Sequence, residues 1–280
     1  MRVIDAETIS EAVAQAAIEA CCRLSPDTLE ALRRAYDREE SPIGKEVLCS
    51  LLENAKIAER DMVPICQDTG LAVVFVEVGA EVRVRGATLF GAIEEGVRRG
   101  YRRGNLRKSV VRDPFERVNT GDNTPPVVHV EIAEGDTLKL DLLVKGGGCE
   151  NASFVAMMRP ADGRQGVIEC IVDGVTRAAP NSCPPVTVGV GIGGTMEKVA
   201  FMAKKSLLRS LGTPHPDKKV AALESELLER VNRTGIGPGG FGGTVTALAA
   251  HVETYPCHMA SLPVAVNLDC HAHRRRHIVL

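Results

Sequence analysis

The apolar residues of this chain change rhythm sharply, and the change falls on a polar loop. From residue 6 to about residue 60 they recur at helical spacing, at Ile9, Val13, Ala16, Ala17 and Ala20, then at Leu29, Leu32 and Ala35. Steps of three and four residues line one face of a helix. From Leu71 the pattern becomes strand-like, in Val73-Val-Phe-Val-Glu-Val78 and Val82-Arg-Val84. A chain with both rhythms and no strict βαβ alternation packs helices against antiparallel or mixed sheets. The expected fold class is α+β: a helical N-terminal region over about 1–60, then mixed β-sheets packed with helices. A single domain, 1–280, is expected, with more than one sheet.

Along the rest of the chain the break at Gly79-Ala80 reads as a hairpin turn, followed by an amphipathic helix over 88–103 that ends on arginines. Val127–Ala133 and Thr137–Val144 alternate around Glu134-Gly-Asp136, a second hairpin that delivers the chain into Lys145-Gly-Gly-Gly148. Residues 160–177, 195–211 and 217–234 read as helices and 186–192 as a buried strand. Residues 244–252 and 262–268 read as a strand pair that follows the glycine-rich Gly235–Gly243. No internal repeat or linker is visible.

With 280 residues, 44% of them hydrophobic, the chain can bury a substantial core. Its net charge of −2 is interspersed, which argues against nucleic acid or an anionic membrane as partner. Aromatics make up 3% and Trp is absent, so there is no platform for stacking bases. The start, Met1-Arg-Val-Ile-Asp-Ala-Glu, carries no secretory pattern, and no apolar run is long enough to span a bilayer. A cytoplasmic protein is expected.

Nine cysteines in a chain of this size suit free thiols and metal ligands better than a disulfide framework. Cys21, Cys22, Cys49 and Cys170 fall in helical, apolar settings and read as buried thiols. Cys66, Cys149, Cys183, Cys257 and Cys270 stand beside Gly, Pro, Asp or His in turns, where function concentrates. None has a CxxC partner, which disfavours a zinc ribbon or ferredoxin-type cluster. Three of them, Cys66, Cys183 and Cys270, are the most site-like. A cluster on three protein thiolates leaves one iron open to substrate. Lys145-Gly-Gly-Gly148 offers either an anion-binding nest or a tight turn. Gly235–Gly243 reads as a mobile hinge or a close-approach loop or, more simply, a flexible connection. Arg107 suits a carboxylate clamp, and His258 an acid, base or orienting donor. The His271, His273, His277 and Arg274-Arg-Arg276 run reads as a metal-binding tail or, more simply, as an exposed, disordered one.

The strings Pro64-Ile-Cys-Gln-Asp-Thr-Gly70, Val118-Asn-Thr-Gly121, Val144-Lys-Gly-Gly-Gly148, Cys183-Pro-Pro185, Ile192-Gly-Gly-Thr195, Gly240-Phe-Gly-Gly243, His258-Met-Ala-Ser261 and Cys270-His-Ala-His-Arg274 together resemble the iron–sulfur-dependent class I fumarate hydratases and the related L-tartrate dehydratases. The resemblance runs in order from about residue 5 to the C-terminus. It implies the α subunit of a two-subunit hydro-lyase, with a [4Fe–4S] cluster on Cys66, Cys183 and Cys270 and one iron not ligated by protein. Gln67, Arg107 and Gly148 would bind a C4 dicarboxylate, and Asp68 and His258 would be catalytic. Cys149 is not a ligand position in that family. The family's remaining carboxylate-binding residues and its proposed carbon base are missing here, so a separate β subunit, in a dimer of αβ pairs, is implied. Where single-chain members have Ser-Ala-Asp-Arg after the last ligand, this chain has His271-Ala-His-Arg274, and Leu262 replaces a Cys. The expected reaction is hydration of fumarate to L-malate. The alternatives are dehydration of L-tartrate to oxaloacetate and a non-catalytic iron–sulfur sensor.

Overall fold

The computed structural model describes all 280 residues, and its contacts gather into two compact units, each built from separated stretches of chain. The first comprises Met1–Ser25, Ala55–Gly147 and Arg274–Leu280, and the second Pro26–Asn54 and Gly148–His273. No linker in the sequence announces this division of what reads as one domain.

Elements follow in the order β1 (Arg2–Asp5), α1 (Ala6–Cys22), α2 (Pro26–Arg38), α3 (Pro42–Asp61), β2 (Leu71–Gly79), β3 (Val82–Arg85), α4 (Leu89–Arg103), β4 (Val127–Ala133), β5 (Leu138–Lys145), α5 (Gly147–Asn151), β6 (Phe154–Met158), α6 (Gly163–Ala178), β7 (Val186–Gly193), α7 (Met196–Ser206), α8 (Lys218–Asn232), β8 (Ala247–Tyr255), β9 (Leu262–Asp269) and β10 (Arg275–Val279). This is an α+β fold, as the change of rhythm requires. No helix is long and apolar enough to cross a membrane.

The first unit contains a four-stranded sheet ordered β10-β5-β2-β4, with β2 parallel to β4 and antiparallel to β5. The strands β1 and β3 form a separate parallel pair. Ile9, Val13 and Ala17 of α1 and Ile93, Val97 and Tyr101 of α4 pack with Val74, Val76, Leu140 and Leu142 of the sheet. Each such aliphatic side chain taken fully from water contributes about 1.5–3 kcal/mol. The two helices approach closely because α4 turns Gly96 and Gly100 toward α1. A Cβ on Gly96 would stand 2.6 Å from the Val13 Cβ, and one on Gly100 2.8 Å from the Ala14 carbonyl oxygen. Thr88 starts α4 as its cap, with Oγ1 accepting the Gly91 N–H at 3.0 Å.

The second unit contains a sheet ordered β6-β9-β7-β8, with β7 parallel to β8 and antiparallel to β9. In β7 the alternation Val-Thr-Val-Gly-Val-Gly builds two different faces. Val186, Val188 and Val190 pack with Val167 and Ile171 of α6 and with Leu227 and Val231 of α8. Gly189 and Gly191 face α7, where an added Cβ would stand 2.2 Å from the Ala203 carbonyl oxygen or 2.3 Å from that of Val199. Only glycine lets the helix backbone lie that near a strand. Between α2 and α3, Glu39 is 1% exposed, and its carboxylate accepts N–H bonds from Glu40, Ser41, Thr244 and Val245. That set ties the helical segment to the chain that follows the glycine-rich loop.

The structure corrects several sequence expectations. None of the three expected strand pairs is a hairpin. The partner of β3 is β1, the central strand β2 stands between β4 and β5, and β7 stands between β8 and β9. Short polar turns mimic hairpin loops, but the strands they join find their partners elsewhere in the sheets. Cys49, expected to be buried, is exposed, whereas Cys21 and Cys22 are buried. The C-terminal basic run is not a disordered tail: residues 275–279 form β10 on β5, and His273 and Arg274 are 1% and 3% exposed. The strands β1, β6 and β10 escape the sequence reading altogether.

Candidate active site

In the first unit one end of the sheet carries the Pro64–Gly70 loop, which enters β2, and the Gly146-Gly147 turn, which leaves β5. Leu71 pairs with Lys145, so both lie at the same end. Asp68 joins them. Its Oδ1 accepts the Gly70 N–H at 2.9 Å and its Oδ2 the Gly147 N–H at 2.8 Å. Gly70 takes φ +65°, and a Cβ there would stand 2.5 Å from the Lys145 carbonyl oxygen, so a left-handed glycine is required. The sulfur of half-buried Cys66 accepts the Asp68 N–H at 3.4 Å and also approaches the Gln67 side-chain oxygen at 3.4 Å. Thr69 donates its hydroxyl to the Arg107 carbonyl at 2.7 Å, which fixes that residue's backbone beside the loop.

Three buried groups hold this loop from behind. The Tyr101 hydroxyl donates to the Thr69 and Gly70 carbonyls. Burial pushes the Tyr101 phenol well above its ordinary range, so it stays a neutral donor. Asn123 donates to the Gly70 carbonyl at 3.2 Å and accepts the Ser109 N–H at 2.7 Å. Arg274 donates to the Asp68 carbonyl. Burial also pushes the nearby Cys21 thiol up to about 12, which keeps it an inert core group.

The second unit holds a cysteine-rich site at one end of its own sheet. Thr187 of β7 pairs with Asp269 of β9, so the turn before β7 and the turn after β9 are neighbours. The first carries exposed Cys183 at φ +51°, and the second carries Cys270. His271 Nδ1 lies 3.3 Å from the Cys183 carbonyl oxygen, and the His273 N–H donates to the Cys270 carbonyl at 3.0 Å. Buried Cys149 donates its thiol to the Ser182 carbonyl at 3.5 Å. The glycine-rich loop is no slack connection here. Gly239 donates to the Pro184 carbonyl at 2.8 Å and a Cβ on Gly240 would meet Pro180, so the loop braces the Cys183 turn.

Cys66, Gln67, Asp68 and Arg107 therefore cluster in the first unit, and Cys183, Cys270 and Gly148 belong to the second. His258 does not join Cys183 and Cys270. It sits in the turn before β9, with Ser261 donating to its carbonyl at 2.9 Å and Ala260 to its Nδ1 at 3.1 Å. The whole of β9 separates it from Cys270, about 23 Å of extended chain. Tyr101, Asn123 and Arg274 were missed by the sequence reading. Tyr101 has a legible signal, a lone hydroxyl at the 93, 97, 101 apolar positions of a helix, where a buried phenol needs an acceptor. Arg274 has none, being hidden in a run of basic residues. Within the second unit, Cys183 and Cys270 stand on neighbouring turns at one end of the sheet, soft thiol donors of the kind that iron and sulfide take.

Residues 10–279 match the family model described as fumarate hydratase (fumerase). A protein of Methanocaldococcus jannaschii, provisionally named L(+)-tartrate dehydratase subunit alpha, is 40% identical over 95% of this chain and 95% of its own length. The L(+)-tartrate dehydratase subunit alpha of Escherichia coli K12 is 34% identical over 95% of this chain and 89% of its own. The protein of that name from Shigella boydii is also 34% identical over the same shares. A match of this length and these identities place the chain in the fumarate hydratase family of hydro-lyases.

Proposed function

We propose that this chain is the α subunit of an L(+)-tartrate dehydratase, which removes water from L-tartrate to give oxaloacetate, and that a separate β subunit completes its site. The observation that carries the choice of substrate is the name borne by relatives aligned over 95% of the chain. The expectation of fumarate as first substrate gives way to this reading. Fumarate hydration stays as the second reading, favoured by the description of the family model.

Cys66, Cys183 and Cys270 would hold a [4Fe–4S] cluster which, when bound, supplies an iron without a protein ligand as Lewis acid toward the substrate hydroxyl and carboxylate. The chain's own part is orientation and proton handling. Asp68, fixed between the Gly70 and Gly147 N–H groups, delivers a proton to the departing hydroxyl. Arg107 clamps a carboxylate through its planar fork, and Gln67 and the Gly148 backbone offer further donors. The carbon-bound proton goes to a base on the β subunit. His258 keeps its proposed part as acid, base or orienting donor, at the other end of β9 from Cys270.

The test is anaerobic purification of the chain with its candidate β subunit, reconstitution with iron and sulfide, and a comparison of oxaloacetate formed from L-tartrate with L-malate formed from fumarate. Tartrate turnover that needs both subunits is the expected result. Fumarate-selective turnover moves the assignment to the second reading, and a loaded cluster with neither activity refutes both.

A further inference from the structure

We infer that Cys149, Asp269 and Cys270 form a mononuclear seat for a thiophilic divalent cation of the zinc or cobalt type, separate from the cluster role of Cys270. The two sulfurs and a carboxylate oxygen all lie within 4.8 Å of one another. Two thiolates on one tetrahedral ion, each about 2.3 Å from it, stand about 3.8 Å apart. Thiolates on two different irons of a cubane stand further apart than two on one ion, so the nearness of Cys149 to Cys270 suits a single ion.

The seat is built rather than accidental. Cys149 is 4% and Asp269 1% exposed, and Cys270 is partly buried. Ser153 locks the two backbones together, its hydroxyl donating to the Cys149 carbonyl at 2.8 Å and accepting the Leu268 N–H at 3.1 Å. Asp269 Oδ2 lies 2.9 Å from His273 Nδ1. That contact orients the carboxylate in the way outer partners orient metal ligands. Two thiolates and a carboxylate give a soft, anionic donor set that prefers such cations to magnesium or calcium. Because Cys270 serves only one group at a time, the ion and the cluster exclude each other, a consequence that rests on the cluster proposed above.

The test is titration of the full-length, iron-free chain with Co2+. The expected result is one equivalent bound, with near-ultraviolet thiolate-to-cobalt absorption that Zn2+ displaces. Cys149→Ser weakens binding by at least about ten- to a hundredfold, the range that loss of even an outer partner costs a metal site. Cys183→Ser leaves binding unchanged. Unaltered binding in Cys149→Ser, or loss in Cys183→Ser, overturns the assignment. X-ray absorption on the unmutated cobalt protein reads the same point without relying on a variant: two sulfur ligands support the seat, and any other number refutes it. Cys149→Ser also keeps the iron and sulfide content of the reconstituted protein. If no cluster forms even in the unmutated chain, the cluster reading falls while the cobalt result stands.

Discussion

The two units pair their strands in the same pattern yet achieve it with different residues. In each sheet a central strand, β2 or β7, has a parallel neighbour on one side, β4 or β8, and an antiparallel one on the other, β5 or β9. A further antiparallel strand, β10 or β6, lies beyond β5 or β9. In each the parallel step passes through helix, α4 in one and α7 with α8 in the other, as parallel neighbours require. The first unit fills the seam with valine and leucine on the strands and keeps its glycines on the helix, at Gly96 and Gly100. The second puts its glycines on the strand, at Gly189 and Gly191. The same chemistry falls at the same place in both: Cys66 precedes β2 as Cys183 precedes β7, and the Gly146-Gly147 turn follows β5 as Cys270 follows β9. Pairing pattern, rather than sequence likeness, determines where the candidate site residues emerge.

The largest test of this equivalence is removal of one thiol from each unit. Cys66→Ser and Cys183→Ser are each expected to bring iron content and turnover of the αβ complex to background, and full iron in either variant breaks the parallel. Asp68→Asn comes next, with kcat down about 10²- to 10⁴-fold as for loss of a general acid while iron content holds; a change in KM alone would reduce Asp68 to a binding group.

The packing half of the comparison is tested by alanine at the two glycine seams. Gly191→Ala is expected to cost about 3 kcal/mol or more, since a backbone carbonyl 2.3 Å away must move. Gly96→Ala, whose added Cβ would meet the Val13 Cβ at 2.6 Å and the Ser10 carbonyl oxygen at 2.7 Å, both longer than the 2.3 Å at Gly191, should cost about 1–3 kcal/mol. Denaturant midpoints rank the two, and the reverse order would mean that the helix pair is the stiffer seam.

An effect of the same size as at Gly96, but dependent on pH, is expected at Glu39. Burial raises its pKa, but the N–H bonds from Thr244, Ser41 and Val245 outweigh this and hold the carboxyl below its usual 4.5. Its contribution is therefore complete above about pH 4.5 and is lost as pH falls through the lowered folded value. Glu39→Gln should cost about 1–3 kcal/mol at pH 7 and flatten the stability profile below pH 4.5. An unchanged acid limb would assign the pH response to other carboxylates. Thr88→Ala, which removes the cap of α4, is the least, about 1 kcal/mol.

Helices were the most legible part of the chain because their signals are local. The 88–103 segment carries its cap, its apolar stripe and its terminal arginines within sixteen residues. Strand partners were not legible, since Glu134-Gly-Asp136 is good turn chemistry whether or not its flanks pair with each other. At the site, Cys66, Asp68, Cys183 and Cys270 stood out as polar residues in turns at strand ends. Asn123 and Arg274 act through backbone carbonyls from a distance in sequence, so no local pattern marks them, whereas Tyr101 is marked only by its hydroxyl on an apolar helix face. The basic run misled because charge argues for exposure, whereas Arg274 buries its guanidinium against a carbonyl.

The strand β10 joins its sheet about 130 residues after β5, with the whole of 148–273 synthesised in between. A chain made from its N-terminus therefore lacks the outer strand of the first unit's sheet until its last residues emerge. Arg274 arrives with that late strand, and the carbonyl of Asp68 gains its guanidinium partner only then. The loop carrying Asp68 therefore leans on the far end of the chain, and loss of the last strand would strip that carbonyl of its guanidinium partner.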